Sequence, residues 1–589
     1  MADEKAVWDL SHILEGKTTE QLETELRKKV ETFKKVRNEL SNISIQRFKE
    51  VILLKEDLST YFSKIKAYLE MKFFENTADS KTLGEMTKLE QTLTELSNEL
   101  MFFSLWFIEL DDKKASTFIN AAELSNYKYY LEELRKSKPY TKSEEVEKII
   151  NIKSSTGGDA TAGLFEIFTA EFKYDFEGEK NVPVEKIVSN YSSADPRLRK
   201  AAYQTVLKRY KENKTVLSEI YKNIVLDWRN EAMTIRGYNS PISVRNLSND
   251  VTDKAVKTLL EVVRANNKLF REYFKVKYEI NKKNGDEYDF SRYHIYAPFK
   301  TELKDEYSYA KSKEIVLEAY KEFHPKFYEK AKEIFDANHV HSHPQLNKRS
   351  GAFCYGISPK DTAYVLLNHS DTLNDVFTMI HEFGHGIHDE LSRKQTSFNF
   401  HPPLVTAETA SIFSEMMLSE KMLNASKSDK EKIYLLIRSI DHEWASIIRQ
   451  AYFLYFEEFA HDNIHKGITK EELDEKYYEL LKEQFGDMEI PEEFKEEWNY
   501  IPHIHASPFY VYAYAWGNLL VLAFFDMYKK EGESFKEKYI KFLEAGGSKS
   551  PADLMKELGV NPEDKEFWQR GFNIISEQIE QLKELNNKL

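Results

Sequence analysis

The sequence predicts a mostly α fold, with long helices over most of its length and one small β-sheet just before a key helix. Three observations predict it. Glycine (20) and proline (15) are scarce for 589 residues, below their average shares of about 7 % and 5 %, so few positions interrupt a helix. Apolar residues make up 41 % of the chain, with 38 Phe and 34 Tyr, enough for a sizeable core and too many for a disordered chain. Those apolar residues also recur at helical spacing, as in Leu58, Tyr61, Phe62, Ile65, Tyr68, Leu69 and Phe73.

In chain order, residues 16–150 read as several antiparallel helices without a fixed repeat. Turn residues follow at Pro139 and at Gly157, Gly158 and Gly163. Asp195-Pro196 reads as a helix start, with Asp195 as cap and proline at the first helical position. An N-terminal helical lobe is therefore expected over 1–195, its boundary falling within 110–200, followed by a larger part over 196–589. Helices resume from 196 to 340, broken at Asn284-Gly285 and over Tyr293 to Pro298. Around Gly351, Gly356 and Pro359 the pattern changes, and Thr362 to Leu367 reads as a strand. Beyond it the chain is helical to its end, with breaks at Pro402-Pro403, Pro491, Pro502, Pro508 and Gly546-Gly547. The apolar run Tyr510 to Tyr528 contains Asn518 and Asp526, so it reads as a buried helix rather than a membrane span.

A net charge of −14, from 84 basic and 98 acidic residues, argues against nucleic acid as a main partner, which needs an excess of Lys and Arg. The single cysteine, Cys354, can form neither an internal disulfide nor a cysteine-based zinc site, and it reads as a small buried apolar residue. Together with an N-terminus, Met1-Ala-Asp-Glu-Lys, that carries no apolar segment, this predicts a soluble cytoplasmic protein.

The chemistry concentrates in one helix. Leu373, Val376, Phe377, Ile380, Ile387 and Leu391 form an apolar stripe over Asp371 to Leu391, and Thr372 with Asp375 resembles a capping box at its start. Inside it lies His381-Glu-Phe-Gly-His385. Residues at i and i+4 share a helix face, so His381 and His385 can reach one metal ion, and Glu382 can take a proton from a metal-activated water. At this composition, the pattern H-E-x-x-H arises by chance about 0.04 times in such a chain. A catalytic zinc needs a third protein ligand and an open position. His388 would spread three ligands too far along one helix axis. Glu408, on a second helix after Pro402-Pro403, closes the site better, and Glu415 further along it can orient a ligating histidine. Gly384 and Gly386 each cost helix stability, which close approach of another backbone or of substrate would explain. His369 and His401 read as packing or loop residues.

The stretch from Lys348-Arg-Ser-Gly-Ala-Phe-Cys354 through His381-Glu-Phe-Gly-His-Gly-Ile-His388 to Glu408 resembles the oligoendopeptidase F family, relatives of thimet oligopeptidase. The segment Ile501 to Trp516 and the tail Ala545 to Pro551 are also similar to the family. The resemblance implies a large two-lobed helical metallopeptidase with a small β-sheet near the active-site helix and a deep substrate cavity. It implies one Zn(2+) per chain on His381, His385 and Glu408, with Glu382 as general base and short unfolded peptides as substrates. It further implies that His503, Tyr510 and Tyr514 face the zinc and hold the substrate carbonyl. A phenol or imidazole can donate a hydrogen bond to the oxyanion formed when water attacks a peptide bond; a packed aromatic cluster is the other reading of these tyrosines. The chain departs from the family at His505, where many members carry an aromatic or apolar residue. On the same motif the alternatives are a zinc exopeptidase, either a dipeptidyl carboxypeptidase or a carboxypeptidase, and a non-catalytic peptide-binding protein.

Overall fold

The computed structural model describes residues 6–300 and 306–589, and helices carry most of it. Residues 1–5, on which the expectation of a chain without a secretory segment rests, lie outside the described residues. By their contacts the residues form two compact units, each assembled from three segments. One contains 1–148, 304–421 and 527–559; the other contains 149–303, 422–526 and 560–589.

The first unit begins with three helices, Thr19–Lys34, Ile45–Glu75 and Ser80–Glu109. Each has a Ser, Thr or Asp side chain accepting a backbone N–H at its start, the usual relief for unpaired first-turn donors. Their apolar faces meet in a core that includes Phe33, Phe48, Phe103 and Phe107 and extends to Tyr364 and Leu366. Those last two residues belong to the small sheet. Its central strand Tyr364–Leu366 lies within the predicted 362–367, parallel to Val340–His341 and antiparallel to Phe353–Tyr355. The metal-motif helix, Leu373–Ser392, starts one turn beyond it, and the capping box between Thr372 and Asp375 is present. Helices Tyr309–Phe323, Pro325–Asp336 and Glu533–Glu544 pack around it. The Tyr320 hydroxyl donates to the Ile380 carbonyl at 2.7 Å, and Phe383 stacks on Phe335.

The second unit is built on the 31-residue helix Asp253–Lys283, packed against the C-terminal helix Lys565–Asn586. Asp195 caps the helix Pro196–Glu212 as its sequence predicts. Of the glycines expected in a turn only Gly157 lies in one, at 155–157: Gly158–Ala170 is a helix whose first turn borrows the Asp227 carboxylate in place of a side-chain cap at Gly157. A hairpin of Tyr174–Phe176 and Glu179–Val182 was not anticipated; its strands are too short for a period-2 pattern. The run from Tyr510 to Tyr528 forms the helix Tyr512–Glu531, with Leu519 to Phe524 almost wholly buried. Among the described residues, no helix is long and apolar enough to cross a membrane.

Candidate metal centre and active site

His381, His385 and Glu408 meet in the first unit. One ligand atom from each lies within 4.8 Å of the others, the one such group of three among the described residues. Glu408 Oε2 stands 3.4 Å from His381 Nε2 and 3.3 Å from His385 Nε2. Ligand bonds of about 2.0–2.2 Å at tetrahedral angles give edges of about 3.3–3.6 Å. The observed spacings are thus those of donors around one tetrahedral cation, and the residues fit zinc.

The local backbone explains how the third donor arrives. The chain leaves the metal-motif helix, passes Pro402-Pro403 and forms a single turn, Leu404–Ala407, before the helix Thr409–Ala425. Glu408 sits at the junction rather than inside a second helix, which corrects its expected placement. Its carboxylate accepts from the Ser411 hydroxyl at 2.8 Å. The helix Thr409–Ala425 comes so close that a Cβ added at Gly384 would lie 2.5 Å from Ser411 Cα and 2.7 Å from the Ala410 oxygen. Gly384 is therefore the contact point that lets the two ligand-bearing segments touch. At Gly386 the neighbour is the Ile334 side chain and, further off, Cys354.

Glu415 accepts a hydrogen bond from His381 Nδ1 at 2.7 Å, which leaves Nε2 turned toward Glu408. A carboxylate behind a ligating imidazole fixes its tautomer and raises its basicity. Burial disfavours the charged form of His381, yet Glu415, Glu408 and Glu382 outweigh it and push the imidazole up to about 9. His385 is raised in the same way, burial opposing and Glu408 prevailing. Glu408 shows the complement: burial opposes ionisation, but the two histidines hold it down at about 2. The carboxylates around the two imidazoles thus favour positive charge at this point, which a divalent cation could supply in place of protons. Glu382 is buried, and burial raises its carboxyl above the ordinary range.

A cavity of about 620 Å³ opens over these groups, lined by the strand Phe353–Tyr355 with His381, Glu382, His385 and Glu408. Phe353–Tyr355 is an edge strand. Cys354 lies on it and borders the cavity, so it is only partly buried, contrary to the expectation of a core residue. Its surroundings, with Asp389, Glu382 and Glu390 nearby, push its thiol well above the usual value and so disfavour the thiolate. His388 lies outside the group of three: it is 3 % exposed, bonds the Ala407 backbone and is pushed down to about 3 by burial. His369 is buried and donates to the Tyr307 carbonyl.

His503, Tyr510 and Tyr514 belong to the second unit. Tyr514 stands edge-on to both, 5.8 Å from the His503 ring and 5.4 Å from that of Tyr510. Tyr510 precedes the helix Tyr512–Glu531, so the two tyrosines meet through a turn rather than along one helix face. Burial, then Arg449, keeps His503 below its ordinary value and hence neutral. The turn is held by groups that the sequence did not single out. Phe509 adopts a left-handed φ of 57°, uncommon for a bulky side chain. Its N–H donates to the buried Glu457 at 2.9 Å, while Arg245 donates to Ser507 Oγ and the Pro508 carbonyl. His505 stacks on Phe165 at 4.0 Å and donates to the Ile501 carbonyl, filling an aromatic position in the core.

Comparison with known proteins points to a family of peptidases. The family model for peptidase family M3 matches residues 189–574, and one described as Oligopeptidase F matches 106–174. An oligoendopeptidase F homolog of Borreliella burgdorferi is 29 % identical over 99 % of this chain and 98 % of its own length. Oligopeptidase PepF of Bacillus subtilis is 25 % identical, covering 92 % of this chain and 81 % of the relative. The crystal structure of oligoendopeptidase-F from Enterococcus faecium superimposes with a TM-score of 0.74 at 20 % identity, over 97 % of this chain and 99 % of that one, a likeness of fold.

Proposed function

Since the chain belongs to peptidase family M3 and is a peptidase, we propose that it is a zinc oligoendopeptidase cutting internal bonds of short unfolded peptides. The catalytic part is assigned to residues 196–589, with His381, His385 and Glu408 holding one zinc ion. The observation that carries this reading is the pair of tetrahedral edges at Glu408, 3.4 and 3.3 Å, with Glu415 behind His381. Zinc held there supplies Lewis acidity and lowers the pKa of an attacking water. Glu382 is the general base; its buried carboxylate takes the water's proton and delivers it to the leaving amine. Two donors, His503 and Tyr510, stabilise the tetrahedral oxyanion, and the Tyr514 ring holds both. The unpaired edge of Phe353–Tyr355 can hydrogen-bond an extended peptide main chain, a mode that needs no free chain end and favours internal cleavage over the exopeptidase alternative.

The test is Glu382→Gln assayed on a quenched peptide with both ends blocked. Wild type should cleave it internally, and the variant should lose turnover while keeping one zinc per chain. Near-normal turnover in the variant would sink the mechanism. Cleavage only of peptides with a free end would favour the exopeptidase reading, and metal analysis of the purified protein would separate zinc from cobalt or manganese.

A further inference from the structure

A second cavity lies wholly within the unit that contains His503, with a volume of about 520 Å³. Its walls are unusually rich in tyrosine: Tyr191, Tyr296, Tyr434 and Tyr500 line it together with Arg438 and Arg449. Arg449 is the residue of interest. It follows a π-helical turn, Trp444–Ile448, and its N–H bonds to the Trp444 carbonyl five residues back. Such a turn inserts a residue into the helical register, re-aims the side chain after it, and is frequent at functional sites.

The guanidinium carries five donors, yet it makes one hydrogen bond among the described residues, to the Tyr296 hydroxyl at 3.3 Å. Its planar face lies over Phe453, 5.1 Å from the ring centre. The two carboxylates on the same cavity are already engaged. Glu497 accepts from Arg292 at 3.0 Å and from Tyr477 at 2.9 Å. Asp441 accepts from Lys277 and Tyr273, each at 2.6 Å. Arg449 is thus a half-buried cation whose charge the Tyr296 hydroxyl and the more distant Glu497 favour, yet no carboxylate of the described residues reaches it within ion-pair distance and most of its donors are not engaged. Donors left over in this way can serve a planar, two-oxygen acceptor that enters the cavity.

We propose that this cavity is a subsite for a peptide carboxylate, bound in two-pronged fashion by Arg449 with tyrosine hydroxyls completing the hydrogen bonds. One guanidinium matches one unit negative charge and the planar geometry of a carboxylate. The aromatic walls suit the side chain that comes with it. Arg449 also acts electrostatically on His503, which ties the subsite to the segment assigned to the oxyanion. The carboxylate comes either from the peptide's C-terminus or from an acidic side chain. That the ligand is a peptide rests on the function proposed above; that a carboxylate is bound rests on Arg449 alone.

The experiment is calorimetric binding to the full chain carrying Glu382→Gln, so that turnover plays no part in the readout. Three probes are used: an N-acetylated octapeptide with a free C-terminus, its C-terminal amide, and the amide with one Gln replaced by Glu. The free acid should bind at least about tenfold more tightly than the amide, the usual worth of a charge-assisted hydrogen bond. Arg449→Gln should abolish that preference, and Arg449→Lys should retain part of it. Should the Glu-containing amide bind as tightly as the free acid, the pocket takes a carboxylate from either source; should it bind only as the plain amide does, the carboxylate is that of the C-terminus. Should Arg449→Gln fail to fold, Tyr296→Phe, which removes the neighbouring hydroxyl, is expected to weaken the preference instead. Equal affinity for all three probes, or an undiminished preference in the variants, would overturn the proposal. Failure of the peptidase reading would show separately, as absence of turnover by the wild type.

Discussion

Replacing Gly384 by alanine tests how the two ligand-bearing segments are held in register. The new Cβ would stand 2.5 Å from Ser411 Cα, 2.7 Å from the Ala410 oxygen and 2.9 Å from the Ala410 carbonyl carbon. Carbon atoms rest at about 3.5–4.0 Å, so the helices must part by about 1 Å. The fold itself should survive. Overpacking costs about 1–3 kcal/mol, and alanine returns about 1 kcal/mol of helix propensity. The metal site should not survive so well, because ligand positions tolerate only about ±0.2 Å and Glu408 lies three residues before Ser411. We expect zinc affinity to fall at least about 100-fold, corresponding to roughly 2.7 kcal/mol less zinc-linked stabilisation. The assay is competition with a chromophoric chelator, paired with melting temperature with and without excess zinc. Gly386→Ala is the control: its Cβ meets the far end of the Ile334 side chain at 2.5 Å, which can swing aside. Wild-type zinc affinity and kcat/KM in Gly384→Ala would refute the idea that this contact sets the ligand geometry.

Three further predictions concern neighbouring groups. Glu415→Gln should lower zinc affinity about 10–100-fold without unfolding the protein, as read by the same chelator competition. Tyr510→Phe should reduce kcat about 10²–10³-fold with little change in KM; an unchanged kcat would return this tyrosine to a packing role. Burial pushes the Glu457 carboxyl up to about 8 from 4.5, against the Phe509 N–H and Arg245. The folded state therefore keeps a proton that the unfolded chain releases, and stability falls as pH rises from about 4.5 to about 8. The slope from this group is at most about 1.4 kcal/mol per pH unit. Glu457→Gln, which can still accept from Phe509, should remove that contribution; identical urea midpoints against pH in both proteins would contradict it.

The cluster proposed to hold the metal was legible in the sequence because helix geometry is periodic. His381 and His385 declare a shared face by spacing alone, and the Thr372–Asp375 capping box marks where their helix starts. Glu408 was legible by elimination, although its position at a helix junction was not, since one turn after Pro402-Pro403 followed by a break leaves no periodic trace. The clamp on the His503 turn was not legible at all. Glu457, Arg245 and Phe509 are far apart in the chain, and nothing local in a sequence marks a phenylalanine for the left-handed region. Arg449 escaped for a similar reason: a missing partner is a property of three-dimensional surroundings. The hairpin over 174–182 and the strand Val340–His341 were too short to alternate visibly.

The junction at Glu408 also bears on how fast an ion would exchange. Two of the three donors ride on one continuous helix, and the His381 ring is fixed there by its hydrogen bond to Glu415. The carboxylate sits instead between a single turn and a helix start, braced by the Ser411 hydroxyl. Of the three residues that would hold an ion, Glu408 is therefore the one whose placement depends on a single side-chain hydrogen bond, and Ser411→Ala should speed release of metal to a chelator more than it changes the fold.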